Sequence, residues 1–204
     1  LDVKYGSGAF LSEPRDAVAL AQLMAGIGAA AGRRTAALIT DMDVPLGVTI
    51  GNSLEVCEAI ETLRGHGPED YTRIVLELSS ALLSLAGQGT PEACRRMAES
   101  AIQSGAALCK LREMVEAQGG DPTYIDDPSR FPRAAYLEPV TAPADGYLQH
   151  MDTAAIGRVS VMLGAGRERA GEPIDHAAGM VLYHKTGSFV HKGDLLACLH
   201  TNRP

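Results

Sequence analysis

Between Asp41 and Glu58 the chain reads DMDVPLGVTIGNSLEVCE, an apolar strand running into a Pro/Gly loop and then into a helix that carries two carboxylates. Pro45 and Gly47 hold an irregular loop whose backbone carbonyls cannot all be paired in a ladder. Glu55 and Glu58 stand three apart on one helical face, beside the apolar face formed by Val56, Ala59, Ile60 and Leu63. Unpaired loop carbonyls with one carboxylate turned back toward them would make an all-oxygen nest of the kind hard cations prefer. The same two glutamates also fit a plain solvated helix face, and both readings stand. Asp41 and Asp43 fit either a general acid/base pair or caps on the following turn. Upstream, KYGSGAF (4–10) is a second place for chemistry: its glycines allow close approach of backbone to a ligand and Ser7 adds a hydroxyl, but the spacing is neither a Walker loop nor a dinucleotide fingerprint. A tight strand-to-helix turn without a ligand accounts for it equally. Lys4 could hold an anion there or pair with a neighbouring carboxylate.

The elements that would position these groups follow from periodicity. Ala17, Leu20, Ala21, Met24, Ile27 and Gly28 recur at helical spacing over 13–31, with Ser12 as N-cap, Pro14 in the first turn and Gly32 at the end. TAALIT (35–40) suits a strand buried on both faces, so strand, helix and strand give a parallel βαβ unit whose ligand edge carries 5–10 and 41–50. Asn52 or Ser53 is placed to cap the next helix, and helices near 52–64, 68–86, 91–104 and 105–118 should cover the sheet. GGDPTYIDDPSRFPR (119–133) holds too many turn formers and prolines for a helix and reads as a linker. Beyond it, short β-like pieces surround one helix over 152–163, and in KTGSFVHKGDLLACLH Gly187 and Gly193 supply positive φ while Val190, Leu195 and Leu196 turn inward. The expected fold class is α/β: 1–118 belongs to a mixed or parallel-sheet α/β domain covered by helices, and 134–204 forms a smaller α+β domain with a barrel-like, hairpin-rich sheet.

Composition narrows the class. The 204 residues are 46% hydrophobic and 21% charged, which excludes disorder, and 25 acidic against 18 basic residues give a net charge of −7, which opposes binding to nucleic acid or an anionic membrane. A small ligand or protein partner fits better. Cys57, Cys94, Cys109 and Cys198 are widely spaced without a CxxC pair and suit free thiols in a cytoplasmic protein. The six histidines lack zinc-type spacing. No apolar run reaches bilayer length, and the abrupt start in a strand at Leu1 reads as a piece of a longer chain.

The strings DVKYGSGAF, GRRTAALITDM, PLGVTIGNSLEVCEAIETLRGHGPED, AAYLEPVTAPADGYL, LGAGR and HKTGSFVHKGDLLACLHTNRP, in this order and over essentially the whole chain, closely resemble pyrimidine-nucleoside phosphorylases and the related thymidine phosphorylases. The resemblance implies the C-terminal half of a longer enzyme that carries out reversible phosphorolysis of uridine, thymidine or deoxyuridine, with inorganic phosphate as co-substrate and the free base and (2-deoxy)ribose 1-phosphate as products. It implies a potassium ion held by Leu46, Thr49 and Glu58, with Thr49 acting through its backbone carbonyl and Glu55 uninvolved. It also implies that Phe10 lines the base, and that the groups holding phosphate and pyrimidine lie upstream of Leu1, so that this chain should be inactive by itself. A homodimer is expected of the full-length enzyme, through its N-terminal helical region. A strict thymidine phosphorylase is the nearest alternative. Two non-enzymatic alternatives are a regulatory protein on the same scaffold and a cofactor carrier in which Lys185 or Lys192 bears the group; Lys185 lies between His184 and Thr186 and Lys192 between His191 and Gly193, unlike the hydrophobic-flanked lysines of such carriers.

Overall fold

A computed structural model describes residues 1–203 as a mixed α/β protein with three small sheets. The first sheet is the βαβ unit the sequence predicts. Strand β1 (Asp2–Tyr5) and strand β2 (Leu38–Asp41) run parallel, with Asp2 opposite Leu38 and Tyr5 opposite Asp41, and helix α1 (Pro14–Ala30) makes the crossover. Val3, Ala17 and Ala21 form its buried core, packed against Tyr5, Leu11 and Ala37. Two expectations change here. The helix starts from Glu13, not from a Ser12 cap, because Pro14 already fixes the first turn without needing a donor satisfied. Strand β2 is not buried on both faces: only α1 covers the pair, so Ile39 remains 36% exposed, and Leu20, Leu23, Met24 and Ile27 of α1 are exposed as well.

After β2 the chain turns through the Pro/Gly loop into β3 (Thr49–Ile50), then α2 (Asn52–Leu63), α3 (Glu69–Leu85), α4 (Pro91–Gln103) and α5 (Ala106–Ala117). These helices fall within a residue or so of their predicted bounds because apolar periodicity and Gly/Pro breaks both mark them. Of these four helices α2 makes the main packing against the strands, while α3 packs on α4, and α5 on α4 and α2. Arg95 of α4 ties α3 to it by pairing with Glu77, and pairs with Glu99 of its own helix at 2.9 Å. Residues 119–133 carry short turns of their own. Asp121 accepts hydrogen bonds from the Thr123 amide and hydroxyl at 2.9 and 2.6 Å and so starts a one-turn helix α6 (Thr123–Asp126), and Arg64 donates to the Ile125 carbonyl at 2.8 Å, fixing this turn on the end of α2.

The remaining elements are β4 (Tyr136–Thr141), β5 (Gly146–Tyr147), α7 (Thr153–Leu163), β6 (Gly179–Leu182), β7 (Phe189–Val190) and β8 (Leu195–Thr201). They do not form a barrel. β6, β8 and β4 join β3 in an open antiparallel sheet of order β3-β6-β8-β4, while β5 and β7 pair separately. Four strands of two to seven residues are too few and too short to close on themselves. Gly187 and Gly193 do take φ of 92° and 93°, but the turn at Gly193 sends the chain from one sheet into another rather than closing a hairpin. Val190 is buried as expected, and Leu195 and Leu196 are half-buried.

The β3–β6 ladder sets Thr49 opposite Val181, far apart in the chain, and two opposed glycines make it possible. Gly51 (φ 130°) and Gly179 (φ 153°) face each other so closely that a Cβ on Gly179 would overlap the Ile50 carbonyl, and one on Gly51 would overlap the Ala178 carbonyl. Asn52 Nδ2 donates to the Ala165 carbonyl at 2.9 Å and the Ser53 amide to the His176 carbonyl at 3.1 Å. The start of α2 is therefore satisfied by tertiary partners, and neither Asn52 nor Ser53 caps it through its side chain.

Candidate functional site

Two cavities flank the carboxyl ends of β1 and β2. The larger, about 520 Å³, is lined by Asp2, Lys4, Ser7, Phe10 and Met24 among others, and the smaller, about 260 Å³, by Leu46, Thr49, Glu58 and Tyr71. Met42 belongs to both walls, and α7 closes them from the other side through Ala154 for the first and Ile156 for the second. Thr153, at the start of α7, donates to the Asp43 carbonyl at 2.8 Å and fixes the helix to the loop after β2.

In the larger cavity the Gly-Ser-Gly turn is held by backbone and carboxylate. The Gly8 amide donates to the Met42 carbonyl at 3.1 Å and the Ser7 amide to Asp43 Oδ1 at 2.7 Å, while the Asp43 amide donates to Asp41 Oδ1 at 2.7 Å. Asp41 thus caps the turn that follows it, as one of the two readings required, whereas Asp43 holds the Gly-Ser-Gly turn through the Ser7 amide instead. Gly6 is needed for this: its φ is 110° and a Cβ would lie 2.8 Å from Asp43 Oδ1. Lys4 pairs with Asp2 at 2.9 Å, and Thr40 donates to the other Asp2 oxygen at 2.6 Å. Burial raises the Asp2 carboxyl, but these hydrogen bonds and the Lys4 charge outweigh it and hold it below the usual range. The turn leaves Phe10 wholly exposed at the cavity rim, so this ring is no part of the core. The Ser7 hydroxyl is buried without a hydrogen-bond partner.

Around the smaller cavity the two glutamates of α2 separate in role. Glu55 Oε1 accepts from the Gly51 amide at 3.0 Å and so caps its own helix. Glu58 reaches back instead, accepting from the Val48 amide at 2.8 Å through Oε1. Gly47, at φ 71°, passes so close to Glu58 Oε2 that any side chain there would collide with it. Leu46 and Thr49 offer oxygens to the same space. The Leu46 carbonyl accepts no hydrogen bond among the described residues. Leu182 donates to the Val48 carbonyl at 2.7 Å, so by antiparallel alternation Thr49 opposite Val181 is a non-hydrogen-bonded pair, and its carbonyl points off the free edge of the sheet. The Thr49 hydroxyl, beside the Glu58 carboxylate, is buried with no well-formed bond of its own. No group of three or more His, Cys, Asp or Glu side chains that could hold a metal ion occurs among the described residues. What the loop provides is carbonyl and hydroxyl oxygen around one carboxylate, a donor set that fits a hard cation.

Glu58 is unusual for a carboxylate in its charge balance. Burial pushes its carboxyl above the ordinary value, against the opposing pull of the Val48 amide, the Thr49 hydroxyl and the Lys185 ammonium; Asp70 adds to the rise. A raised carboxyl pKa means that the native state holds a proton which the unfolded chain gives up, so the stability associated with Glu58 is full below about pH 4.5 and declines as pH rises through the folded-state value. In a buffer free of small alkali cations, the thermal midpoint of Glu58→Gln relative to wild type should rise with pH through this window and stay flat below it. A difference independent of pH would show that Glu58 is not held against its charge.

Sequence reasoning missed the far side of this loop. Lys185 Nζ donates to the Pro45 carbonyl at 2.8 Å and pairs with Asp70 Oδ2 at 2.7 Å, with its side chain only 20% exposed. Lys185 is thus engaged in the interior and not presented at a hairpin tip. Asp70 lies 115 residues from Lys185 in GPED, where it reads only as the acidic start of α3, so no local spacing could signal the pair.

The fold and the two cavities define an α/β protein with a cleft at the ends of its parallel strands and an oxygen-lined loop beside it. Residues 147–204 match the family model of the pyrimidine nucleoside phosphorylase C-terminal domain. Over all 204 residues the chain is 45% identical to a pyrimidine-nucleoside phosphorylase of Geobacillus stearothermophilus and 48% identical to one of Staphylococcus aureus (strain USA300), covering 47% of each. The chain belongs to the pyrimidine-nucleoside phosphorylase family, and it spans about half the length of the curated relatives it matches.

Proposed function

We propose that this chain is the C-terminal part of an enzyme catalysing reversible phosphorolysis of pyrimidine nucleosides: uridine, thymidine and deoxyuridine. The observation that carries the reading is the 45–48% identity to pyrimidine-nucleoside phosphorylases along the whole chain, joined to a cleft at the strand ends with Phe10 exposed at its rim. In this reaction a phosphate oxygen attacks C1′ of the sugar, the bond from C1′ to the base nitrogen breaks, and the base leaves with the bond's electron pair. The protein's task is to align phosphate and nucleoside and to stabilise charge on the leaving base. Phe10 supplies a ring face against the pyrimidine, and α7 screens the cleft from solvent. The groups that hold phosphate and pyrimidine are assigned outside this chain, which by itself lacks the activity.

Leu46, Thr49 and Glu58 are proposed to hold a potassium ion, which supplies a fixed positive charge that neutralises Glu58 and ties α2 to the loop. The unpaired oxygens around Glu58 support this assignment. The division into an α/β part (1–118), a connection (119–133) and a C-terminal α+β part (134–204) is retained as a description of the parent enzyme, with β3 reaching across it to β6. A cytoplasmic homodimer is the assembly the family resemblance supports, and no described helix is long and apolar enough to cross a membrane.

The test is phosphate-dependent release of uracil and thymine by the full-length protein and by the 204-residue chain. Turnover by the first and none by the second is expected; no turnover of any pyrimidine nucleoside by the full-length protein rejects the reading. Phe10→Ala should leave the thermal midpoint unchanged, since the ring buries nothing, while raising the nucleoside KM roughly threefold to tenfold, the value of one aromatic contact.

A further inference from the structure

The loop from Pro45 to Thr49 is gripped from two sides. On one side Glu58 of α2 holds the Val48 amide. On the other, a separate cavity of about 540 Å³ is lined by Val48, Asp70, Arg73, Tyr183, Lys185 and Ser188, and from this wall Lys185 reaches the Pro45 carbonyl. Asp70, at the start of α3, holds that lysine in place. It accepts from the Tyr71 amide at 2.8 Å and from Lys185 at 2.7 Å. Lys185 is itself set in a tight turn: the Ser188 amide donates to the Lys185 carbonyl at 3.0 Å, and Gly187 at φ 92° lets the chain reverse.

Resting on the potassium reading above, we infer that Lys185 is a positioning residue for the cation loop, with Asp70 as its counter-charge, so that an element of the C-terminal sheet region sets the shape of an ion site formed by Leu46, Thr49 and Glu58. Three observations support it. The bonded carbonyl belongs to Pro45, the residue immediately before Leu46, so the bond anchors the peptide plane that leads into Leu46. Pro45 and Gly47 are buried, which leaves the loop no solvent-side substitute for this bond. The charge of Lys185 reaches Glu58 on the far side of the loop, and Asp70, paired with Lys185 at 2.7 Å, opposes it. Because the ammonium is compensated, its loss changes the shape of the loop more than the field around it, and cation binding weakens.

The experiment uses the full-length protein and reads the thermal midpoint as KCl replaces choline chloride at constant ionic strength. In Lys185→Met the KCl concentration giving half the stabilisation should rise about tenfold, within the usual range of coupling between linked sites. Lys185→Arg, which keeps donors and charge, should recover most of that loss. Asp70→Asn serves as an independent variant should the methionine form fail to fold; it leaves the ammonium uncompensated and less well anchored, and should raise the same concentration severalfold. A lowered midpoint with an unchanged potassium requirement in both variants overturns the inference and makes Lys185 a purely structural bridge. Tighter potassium binding in Lys185→Met also overturns it, since Lys185 would then act as a competing cation. A wild-type protein that does not respond to potassium removes the ion reading and this inference with it, a result distinct from the other two.

Discussion

Glu58→Gln in the full-length protein is expected to abolish most of the response to potassium while leaving the loop folded. Glutamine keeps an oxygen to accept the Val48 amide, now made at 2.8 Å, but carries no charge. A charge-assisted contact exceeds its neutral counterpart by roughly 1–2 kcal/mol, so potassium should bind about fivefold to thirtyfold more weakly. Glu58→Ala separates the two roles. It removes the acceptor as well, and an amide left without a partner costs about 1–3 kcal/mol, so this variant should melt lower whether or not potassium is present. The comparison is made by melting both variants in KCl and in choline chloride. If Glu58→Gln is stabilised by potassium as much as wild type, Glu58 is not a ligand and the site lies elsewhere. The wild-type effect should also grow with pH: burial keeps the Glu58 carboxyl protonated above the ordinary range, and only the ionised form attracts a cation.

Gly179→Ala should destabilise the fold more than any of the substitutions at Phe10, Glu58, Asp70 or Lys185. The obstacle is backbone, not a side chain that can swing away: a Cβ at this position overlaps the Ile50 carbonyl and lies 2.9 Å from the Gly51 Cα, and the φ of 153° is one that L residues rarely adopt. The two effects together should cost on the order of 3 kcal/mol. Relief comes only by parting β3 from β6, which also releases the Thr49 carbonyl from its place at the sheet edge and loosens the loop Lys185 holds. Gly171→Ala provides the control. It too has positive φ, at 89°, but a Cβ there meets nothing within 4 Å, so only the smaller conformational cost applies. Chemical denaturation of the two variants should therefore differ by about 2 kcal/mol, the excess at Gly179 being steric. Equal losses would mean that the β3–β6 crossing adapts easily and does not govern the site.

Helices α1 to α5 and α7 were legible because each advertises itself twice, by apolar spacing and by the Gly, Pro or Asp that bounds it. Asp152, for instance, caps α7 by accepting the Ala155 amide at 2.8 Å, and Gly164 ends it at φ 114°. Glu58 was visible as one of two candidates, but only the fold separates it from Glu55. Both side chains are the same and only three residues apart; one turns to its own helix N-terminus and the other to the loop, according to where the loop lies. The turn in 119–133 was hidden because its helix is a single turn, too short for periodicity, and is held by Arg64 from outside.

The sequence by itself determined the family, the helical segments, the parallel unit of β1, α1 and β2, and the residues that could surround an ion. These depend on local chemistry: side-chain periodicity, φ preferences, and ordered motifs that need no knowledge of what they touch. Tertiary structure alone decided that β3 pairs with β6, that the C-terminal strands form an open sheet, that Phe10 stands free at a cleft, and that Lys185 and Asp70 meet at 2.7 Å behind the loop. Each of these joins residues far apart in the chain. Such contacts form through a balance of burial, backbone hydrogen bonding and loop closure that leaves no periodic mark on either partner.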